Sequence, residues 1–187
     1  CNSKLRTIHY RYMSGHNKWS KIKHKKAATD AQKSKIFGKL VRLIQVEAKK
    51  CGGDVNSPGL AAAIAKANKE NMPKDNIERA IKKAAESGDS ISVMYEAYGP
   101  GGVGLIITGL TDNTNRTSAE IKHTLSKMNG SLGSSGSVSW NFTQNEERDW
   151  IPNSTVEIND EIAAKLETLI EALEEHDDVQ DVYHNAE

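Results

Sequence analysis

One segment near the start of the chain combines residue types that bind nucleic acid. It runs from Gly15 to Lys26 and places five lysines and two histidines around one tryptophan. Lysine ammonium groups pair with phosphates, and an indole ring can stack on an unpaired base. The alternative is a solvated basic arm whose tryptophan packs on the helix that follows. We predict nucleic-acid contact for these residues: His16, Asn17, Lys18, Trp19, Lys21, Lys23, His24, Lys25 and Lys26.

The charges of the whole chain are segregated along its length. The 187 residues carry a formal net charge of zero. Residues 1–51 hold 14 Lys and Arg against 2 Asp and Glu, whereas residues 138–187 hold 2 basic and 14 acidic side chains. This distribution predicts a basic end that binds a polyanion. We expect the acidic end to keep its part of the chain away from nucleic acid, to meet a basic protein surface, or to compete with the basic arm within the molecule.

Composition excludes several classes of protein and site. The sequence has no apolar run of the length that a membrane-spanning helix needs. Two cysteines, Cys1 and Cys51, are too few for a four-cysteine zinc site or a disulfide framework. The residues 176–178, His-Asp-Asp, lack a second ligand cluster and are interpreted as an acidic helix end. We find no paired nucleophile and base and predict no catalytic residue, no metal, no cofactor and no enzymatic activity.

A glycine-rich segment at Gly99–Gly104 matches the GxGxxG spacing of dinucleotide-binding loops. That motif requires a helix directly after the glycines, so that the helix N-terminus meets the pyrophosphate. Here a β-strand pattern follows, and Pro100 removes one backbone N–H donor. We therefore predict a hairpin turn.

Hydrophobic periodicity predicts a small helical domain over residues 28–88, preceded by a basic arm at 1–27. A long helix begins at Thr29 or Asp30 and ends at Gly52-Gly53, with an apolar stripe on one side. Two shorter helices follow, one beginning at Ser57-Pro58 and one running from about Lys74 to Ser87. The cations off the apolar stripe of the long helix are predicted to extend the nucleic-acid-binding surface: Lys33, Lys35, Lys39 and Arg42.

Residues 89–187 predict an α+β domain, because the periodicity changes from helical to alternating after Gly88. Strands are expected at 92–98, 103–110, 137–143, 155–158 and 179–183. One helix is expected at 118–128, and Asn159 or Asp160 caps another. The fold class is therefore α+β: a small helical domain followed by an α/β sandwich with a mostly antiparallel sheet and helices on one face.

Several long motifs resemble the YebC family. That family includes bacterial proteins labelled as transcriptional regulators and the mitochondrial translational activator of cytochrome c oxidase subunit one. The resemblance covers nearly all of the chain from Gly15 onward. Its motifs are Gly15–Lys26, Ala27–Asp30, Ser34–Phe37, Asn68–Ile81, Tyr95–Val103, Thr111–Thr117 and Leu173–Gln180.

The resemblance implies a helical domain and two α/β domains, the third inserted into the second. Only Thr143–Trp150 stands at the insertion point, so the third domain, expected near 143–150, is absent from this sequence. Either the protein has lost it, or the sequence is joined across a missing segment.

The resemblance also implies one of two functions. The first is a ribosome-associated translation factor that binds rRNA, chiefly of the large subunit, with tRNA as a further partner. It would help synthesis through difficult stretches such as proline runs, or of specific mitochondrial messages. The alternative is a DNA-binding transcriptional regulator. The residues favour RNA, because the sequence has no recognisable helix-turn-helix and its basic arm with one tryptophan suits irregular rRNA. The turn at 99–102 and the polar run at 113–117 are weaker contact candidates.

The first residues bear on location. Cys1–Tyr12 carries three basic side chains and no acidic one, a composition typical of the end of an organellar transit peptide, with a cloning remnant as the alternative. We expect a mitochondrial matrix protein, with a bacterial-type cytoplasm as the alternative. The sequence predicts no oligomeric state.

Overall fold

The computed structural model describes residues 30–86 and 88–187, so the predicted arm at 1–27 lies outside the described residues. The first part is helical, as predicted. Its helices are α1 (Asp30–Cys51), α2 (Pro58–Lys69) and α3 (Lys74–Lys82), followed by a 3-10 turn at Ala84–Glu86. The third helix is shorter than the sequence predicted, because the chain tightens into this turn after Lys83.

The helical part has its own apolar core. Ser57 caps α2 by accepting a hydrogen bond from the backbone N–H of Leu60, and Pro58 occupies the first turn. Alanines let the helices approach closely. The predicted stripe of α1 is buried at Leu40, Ile44 and Ala48, whereas Ile36 at its N-terminal end is exposed. The other buried members of this core come from α2, α3 and the adjoining turns: Leu60, Ala63, Ala67, Met72, Ile77, Ala80 and Ala84.

The second part is built on a four-stranded antiparallel sheet. Its strands are β1 (Ile91–Tyr98), β2 (Gly104–Thr111), β3 (Ser131–Leu132) and β6 (Val179–His184), in the order β3-β1-β2-β6. All neighbouring strands pair antiparallel. Helices α4 (Thr114–Lys127) and α5 (Asp160–Glu174) cover one face. The predicted α+β class and the helices on one face are confirmed.

Strand β2 is covered on both faces of the sheet. Leu105 and Ile107 pack with the inner residues of α4 and α5, and Ile106 points to the opposite face. There Ile106 contacts Val138 and Phe142 from a segment that crosses the back of the sheet. Burial on both faces explains why β2 is a nearly continuous apolar run.

The predicted hairpin turn between β1 and β2 is confirmed. It contains a 3-10 turn at Pro100–Gly102. Gly101 has φ 73°, in the left-handed region, and a Cβ there would lie 2.7 Å from Cγ2 of Ile162 in α5. The turn therefore serves helix packing, which agrees with its rejection as a dinucleotide loop.

The predicted strand at 137–143 is wrong over residues 137–141. Ser139–Asn141 form a 3-10 turn, and only β4 (Phe142–Gln144) is strand, paired with β5 (Trp150–Pro152). Trp140 is 73% exposed instead of packing beside Phe142. The cause is distant in sequence: the carboxylate of Glu96 accepts the N–H groups of Val138 and Ser139, which are then lost to strand pairing.

Two further boundaries differ from expectation. The strand predicted at 155–158 is only an isolated bridge between Val156 and Ala186. Helix α4 begins at Thr114 instead of 118, because the side chain of Asn113 accepts a hydrogen bond from the N–H of Arg116 and caps the helix early.

A short turn at residues 145–149 occupies the place where the resemblance implies a third domain. It joins β4 directly to β5. The turn also reaches the helical part, since Glu147 pairs with Lys69 and Arg148 lies 3.9 Å from Glu47. In this chain the insertion point is thus a hairpin that contacts the helical part.

Candidate nucleic-acid interface

The predicted site divides into two groups. The residues of the arm, from His16 to Lys26, lie outside the described residues, and their contact with nucleic acid stays a prediction. The four cations of α1 are described. Lys33 is exposed, whereas Lys35, Lys39 and Arg42 are partly covered.

The carboxyl end of α5 covers two of these cations. The ammonium Nζ of Lys39 donates to the carbonyl of Glu174 at 2.7 Å. The ammonium of Lys35 donates to the carbonyl of Glu175 and lies 2.9 Å from its carboxylate. Carbonyls at a helix C-terminus have no partner within the helix and carry partial negative charge, so they attract cations. Burial and the neighbouring Lys35 lower the pKa of Lys39.

Asp178 connects α1 to the sheet and to α4. Its side chain is only 6% exposed. One carboxylate oxygen accepts from Arg42 at 3.2 Å, and the other accepts from Arg116 and Thr117, each at 2.7 Å. Burial opposes ionisation, but the hydrogen bonds from Thr117, Arg116 and Arg42 outweigh it and lower the pKa of Asp178 to about 2. Asp178 is therefore an ionised, buried centre of this junction.

A glycine in β2 permits this arrangement. The N–H of Leu110 donates to the carbonyl of Asp178 at 2.8 Å. A Cβ on Gly109 would lie 2.6 Å from that carbonyl oxygen. Only glycine allows the turn between α5 and β6 to approach β2 this closely.

A second junction lies between α2 and the far side of the sheet. Nζ of Lys66 lies 2.9 Å from Asp149 and 3.0 Å from Asp181, and it donates to the hydroxyl of Tyr183 at 3.1 Å. Burial favours the neutral amine, but Asp181, Tyr183 and Asp149 outweigh it and raise the pKa of Lys66. The helical part is thus held on the sheet by charges on both α1 and α2.

These contacts correct the expectation that α1 offers its cations outward. Lys35, Lys39 and Arg42 face the acidic turn after α5, and Lys33 is the exposed member of the predicted set on α1. The acidic end of the chain does meet a basic surface, and that surface belongs to the same molecule. Nucleic-acid binding by the three covered cations stays a prediction.

The weaker contact candidates have structural roles. Asn113 caps α4, and Thr117 is buried against Asp178. His176 lies 2.7 Å from Glu120 and accepts a hydrogen bond from the N–H of Asp178. Within residues 30–86 and 88–187, no group of three or more metal-ligating side chains comes together. No helix in that part is long and apolar enough to cross a membrane.

Sequence reasoning missed two features. Glu96 is 4% exposed and its carboxylate accepts the N–H groups of Gly136, Val138 and Ser139. Burial opposes its ionisation, but these hydrogen bonds prevail and lower the pKa of Glu96. The second feature is the exposed pair formed by Arg79 in α3 and Lys83, the residue that directly follows this helix. Their spacing of four residues, which places both side chains on one helix face, was a signal that could have found them.

Comparison with known families covers nearly the whole chain. A family model described as the TACO1/YebC protein N-terminal domain matches residues 17–87. A second, described as the TACO1/YebC second and third domain, matches residues 90–146 and 143–186. The two matched ranges of the second model meet at the turn between β4 and β5, where the inserted domain was expected.

Curated relatives carry the name probable transcriptional regulatory protein. That of Petrotoga mobilis is 49% identical over 171 residues, which cover 89% of this chain and 68% of the relative. That of Geobacter sulfurreducens is 54% identical over 134 residues, and the chain spans about half of it, 54%. That of Thermotoga maritima is 39% identical over 238 positions covering 94% of both chains. This last alignment is longer than the chain itself, so part of that relative has no counterpart here.

A solved structure agrees with the sequence comparisons. The crystal structure of a conserved hypothetical protein from Aquifex aeolicus superimposes with a TM-score of 0.76 at 36% sequence identity. The match covers 91% of this chain and 97% of that one. The fold and the family models together show that this chain belongs to the TACO1/YebC family.

Proposed function

We propose that this protein is a translation factor that associates with the ribosome by binding rRNA through its basic arm and its helical part. One observation carries the proposal: the segregation of charge. The segment 15–29 contains no acidic residue, so its lysines have no counter-charge nearby in sequence. Neutralising several phosphates releases counterions and gives strong, salt-dependent binding.

The contacts of α1 support this division of charge. The acidic turn at the end of α5, in the α/β part, forms ion pairs and hydrogen bonds with Lys35, Lys39 and Arg42. A surface that already carries acidic groups repels phosphate, so the sheet side of the molecule is a poor site for RNA. We infer that the arm and the outer face of the helical part make the RNA contacts. The protein then acts without covalent chemistry, by stabilising one state of the ribosome.

Charge reversal in the arm tests the proposal. The purified chain is sedimented with ribosomes at low salt, and a Lys25→Glu/Lys26→Glu variant is compared with a Lys122→Glu/Lys127→Glu variant. Both variants change the net charge equally, but Lys122 and Lys127 are exposed on α4 and are distant from the arm in sequence. We expect the arm variant to lose ribosome association and the control to keep it. Equal retention by both variants would contradict the rRNA anchor.

A Trp19→Ala variant tests stacking separately. If a base lies on the indole ring, removing the ring costs about 1–3 kcal/mol of binding free energy. If the tryptophan packs on the protein, ribosome affinity stays unchanged and the thermal stability falls instead. Titration of ribosomal RNA fragments, followed by a melting curve, separates these outcomes.

A DNA-binding regulator is the second candidate, and two observations favour it. The curated relatives are named probable transcriptional regulatory proteins. Helices α2 and α3 are also consecutive and joined by a short turn at residues 70–73, as in helix-turn-helix proteins. Against it, Asp75 and Glu78 are exposed on α3 and would oppose its entry into a groove lined by phosphates. Sequence-dependent binding to duplex DNA by the purified chain, without ribosome association, would favour this candidate.

A further inference from the structure

The two parts of the chain meet through groups of opposite charge. The helical part contributes cations of α1 and α2: Lys35, Lys39, Arg42, Lys66 and Lys69. The α/β part contributes the carbonyl of Glu174 and a set of carboxylates: Glu147, Asp149, Glu175, Asp178 and Asp181. With one exception, Arg148 beside Glu47, these pairs place the cation on the helical part. The surface of α1 and α2 that faces the sheet is therefore cationic, and it already binds anionic groups.

A shared apolar core does not hold the two parts together. In the part of the chain that the structure describes, none of the three buried apolar clusters contains members from both parts. Val46 is buried on α1 outside these clusters, and it lines a gap of about 290 Å³ together with Gly88 and Ser90. Domains of one chain move relative to each other unless their interface is large and apolar. The junctions therefore depend chiefly on charge, and we expect them to open.

The ion pairs at these junctions are of a kind that another anion replaces readily. The side chains of Lys35 and Arg42 are both 32% exposed, and that of Glu175 is 75% exposed. Such pairs contribute little net free energy and are screened by salt. Phosphate carries the same sign of charge as these carboxylates and accepts the same hydrogen bonds. The arm leads directly into α1, so a nucleic acid bound to the arm reaches α1 at a high effective concentration.

We propose that the sheet-facing surface of α1 and α2 is a second binding surface for the phosphate backbone of RNA, which the acidic groups of the α/β part cover in the free protein. RNA held by the arm displaces these groups and opens the two junctions. The inference rests on the proposed function, since it names a further RNA-binding surface of the helical part and the contact that regulates it. Without RNA, the α/β part competes for the cations and limits their binding to other polyanions.

Release of the cations tests the proposal. A release variant of the full chain, Glu175→Gln/Asp181→Asn, removes one carboxylate from each junction. Its control, Glu157→Gln/Asp160→Asn, changes the net charge equally at exposed positions. Asp160 begins α5 and Glu175 follows its last residue, so the control lies about 22 Å from the first junction along this helix. Binding to a fluorescent fragment of ribosomal RNA is followed by anisotropy at low salt, and circular dichroism verifies that both variants fold.

We expect the release variant to bind the RNA fragment about tenfold more tightly than the wild type, because each partly exposed pair favours the covered state by a factor of about two to five. The control should gain less than about twofold, from the change in net charge alone. Equal gains in both variants would show that net charge alone matters and would overturn the proposal. So would a release variant whose affinity is unchanged or weaker.

Removal of the released cations tests their part in the gain. Lys35→Gln/Lys66→Gln is added to the release variant, which takes away the side chains that we expect to bind phosphate. The gain in affinity should disappear. The dependence of log affinity on log salt should also become shallower by about 1.4–1.8, since each lost phosphate contact contributes about 0.7–0.9. A gain that survives these substitutions would contradict the role of the covered cations.

Energy transfer between the two parts measures the opening itself. Dyes are attached at Asn68→Cys in α2 and Ser126→Cys in α4, both exposed positions, in a chain that also carries Cys1→Ser/Cys51→Ser. We expect the transfer efficiency to change when the RNA fragment saturates the chain, and to change in the same direction at high salt, which screens the junction pairs. RNA that binds without changing the transfer efficiency would overturn the proposal, because the covered surface would then stay covered.

Failure of this inference and failure of the proposed function give different results. If the wild-type chain associates with ribosomes while the release variant gains no more RNA affinity than its control, only the covered surface is wrongly assigned. If the wild-type chain does not associate with ribosomes but the release variant gains RNA affinity selectively, the covered surface stands and the ribosomal role is wrong.

Discussion

Neutralising Asp178 should weaken one of the two junctions that hold the helical part on the sheet. Asp178→Asn keeps the size of the side chain but removes the charge that Arg42 and Arg116 share. Its pKa falls from 3.8 to about 2 in the folded protein. At 1.36 kcal/mol per pKa unit, this shift corresponds to about 2 kcal/mol of stability at pH 7. For a chain of this size, the melting temperature should fall by about 4–8 °C.

The direction of the pKa shift determines how the stability loss changes with pH. Since the folded pKa lies below the unfolded one, the stabilisation is fully present above the unfolded value near 3.8 and is lost as the pH falls toward about 2. The difference in free energy of unfolding between wild type and Asp178→Asn should therefore shrink to about half by pH 3. Urea titrations at a series of pH values measure it.

Asp177→Asn is the matched control. Its side chain is 91% exposed and lies 4.0 Å from Lys35, so its neutralisation should change stability by less than about 0.5 kcal/mol. The reasoning would be refuted if Asp178→Asn were no more destabilising than this control, or if its effect stayed constant from pH 7 to pH 3.

Three further substitutions test other parts of the fold. Gly101→Ala should destabilise by about 1 kcal/mol more than Gly102→Ala in urea titrations. Both have positive φ, but only the first places its Cβ against a neighbouring side chain. Glu96→Gln should cost about 2 kcal/mol and speed amide exchange at 136–139, because an amide has only one acceptor oxygen for these N–H groups. Lys66→Met should cost about 1–2 kcal/mol in thermal melts, since Asp149 and Asp181 are left without their counter-charge but partly hydrated.

Elements whose cause is local were predictable from the sequence. The Ser57-Pro58 cap and the apolar stripe of α1 each depend on residues a few positions apart. The family motifs then placed these elements in the correct fold. Local pattern and tertiary structure agree in these segments, so periodicity was sufficient.

Elements whose cause is distant were not predictable. The turn containing Trp140 looks like a strand, and it departs from that pattern because Glu96 takes up its backbone N–H groups. Likewise, the exposure of Lys35 and Arg42 depends on which residues pack against α1. Residues around Asp178, more than a hundred positions away, cover them. The local pattern of a single sequence does not show which distant residues will pack against a segment.

Sedimentation of ribosomes tests the central claim most directly. Lysate from cells producing the full chain is fractionated at low and at high salt, with and without DNase. The proposed function predicts that the chain migrates with ribosomes or the large subunit at low salt, leaves them at high salt and is unaffected by DNase. A chain that stays at the top of the gradient under all conditions, yet binds duplex DNA in a sequence-dependent way, would contradict it.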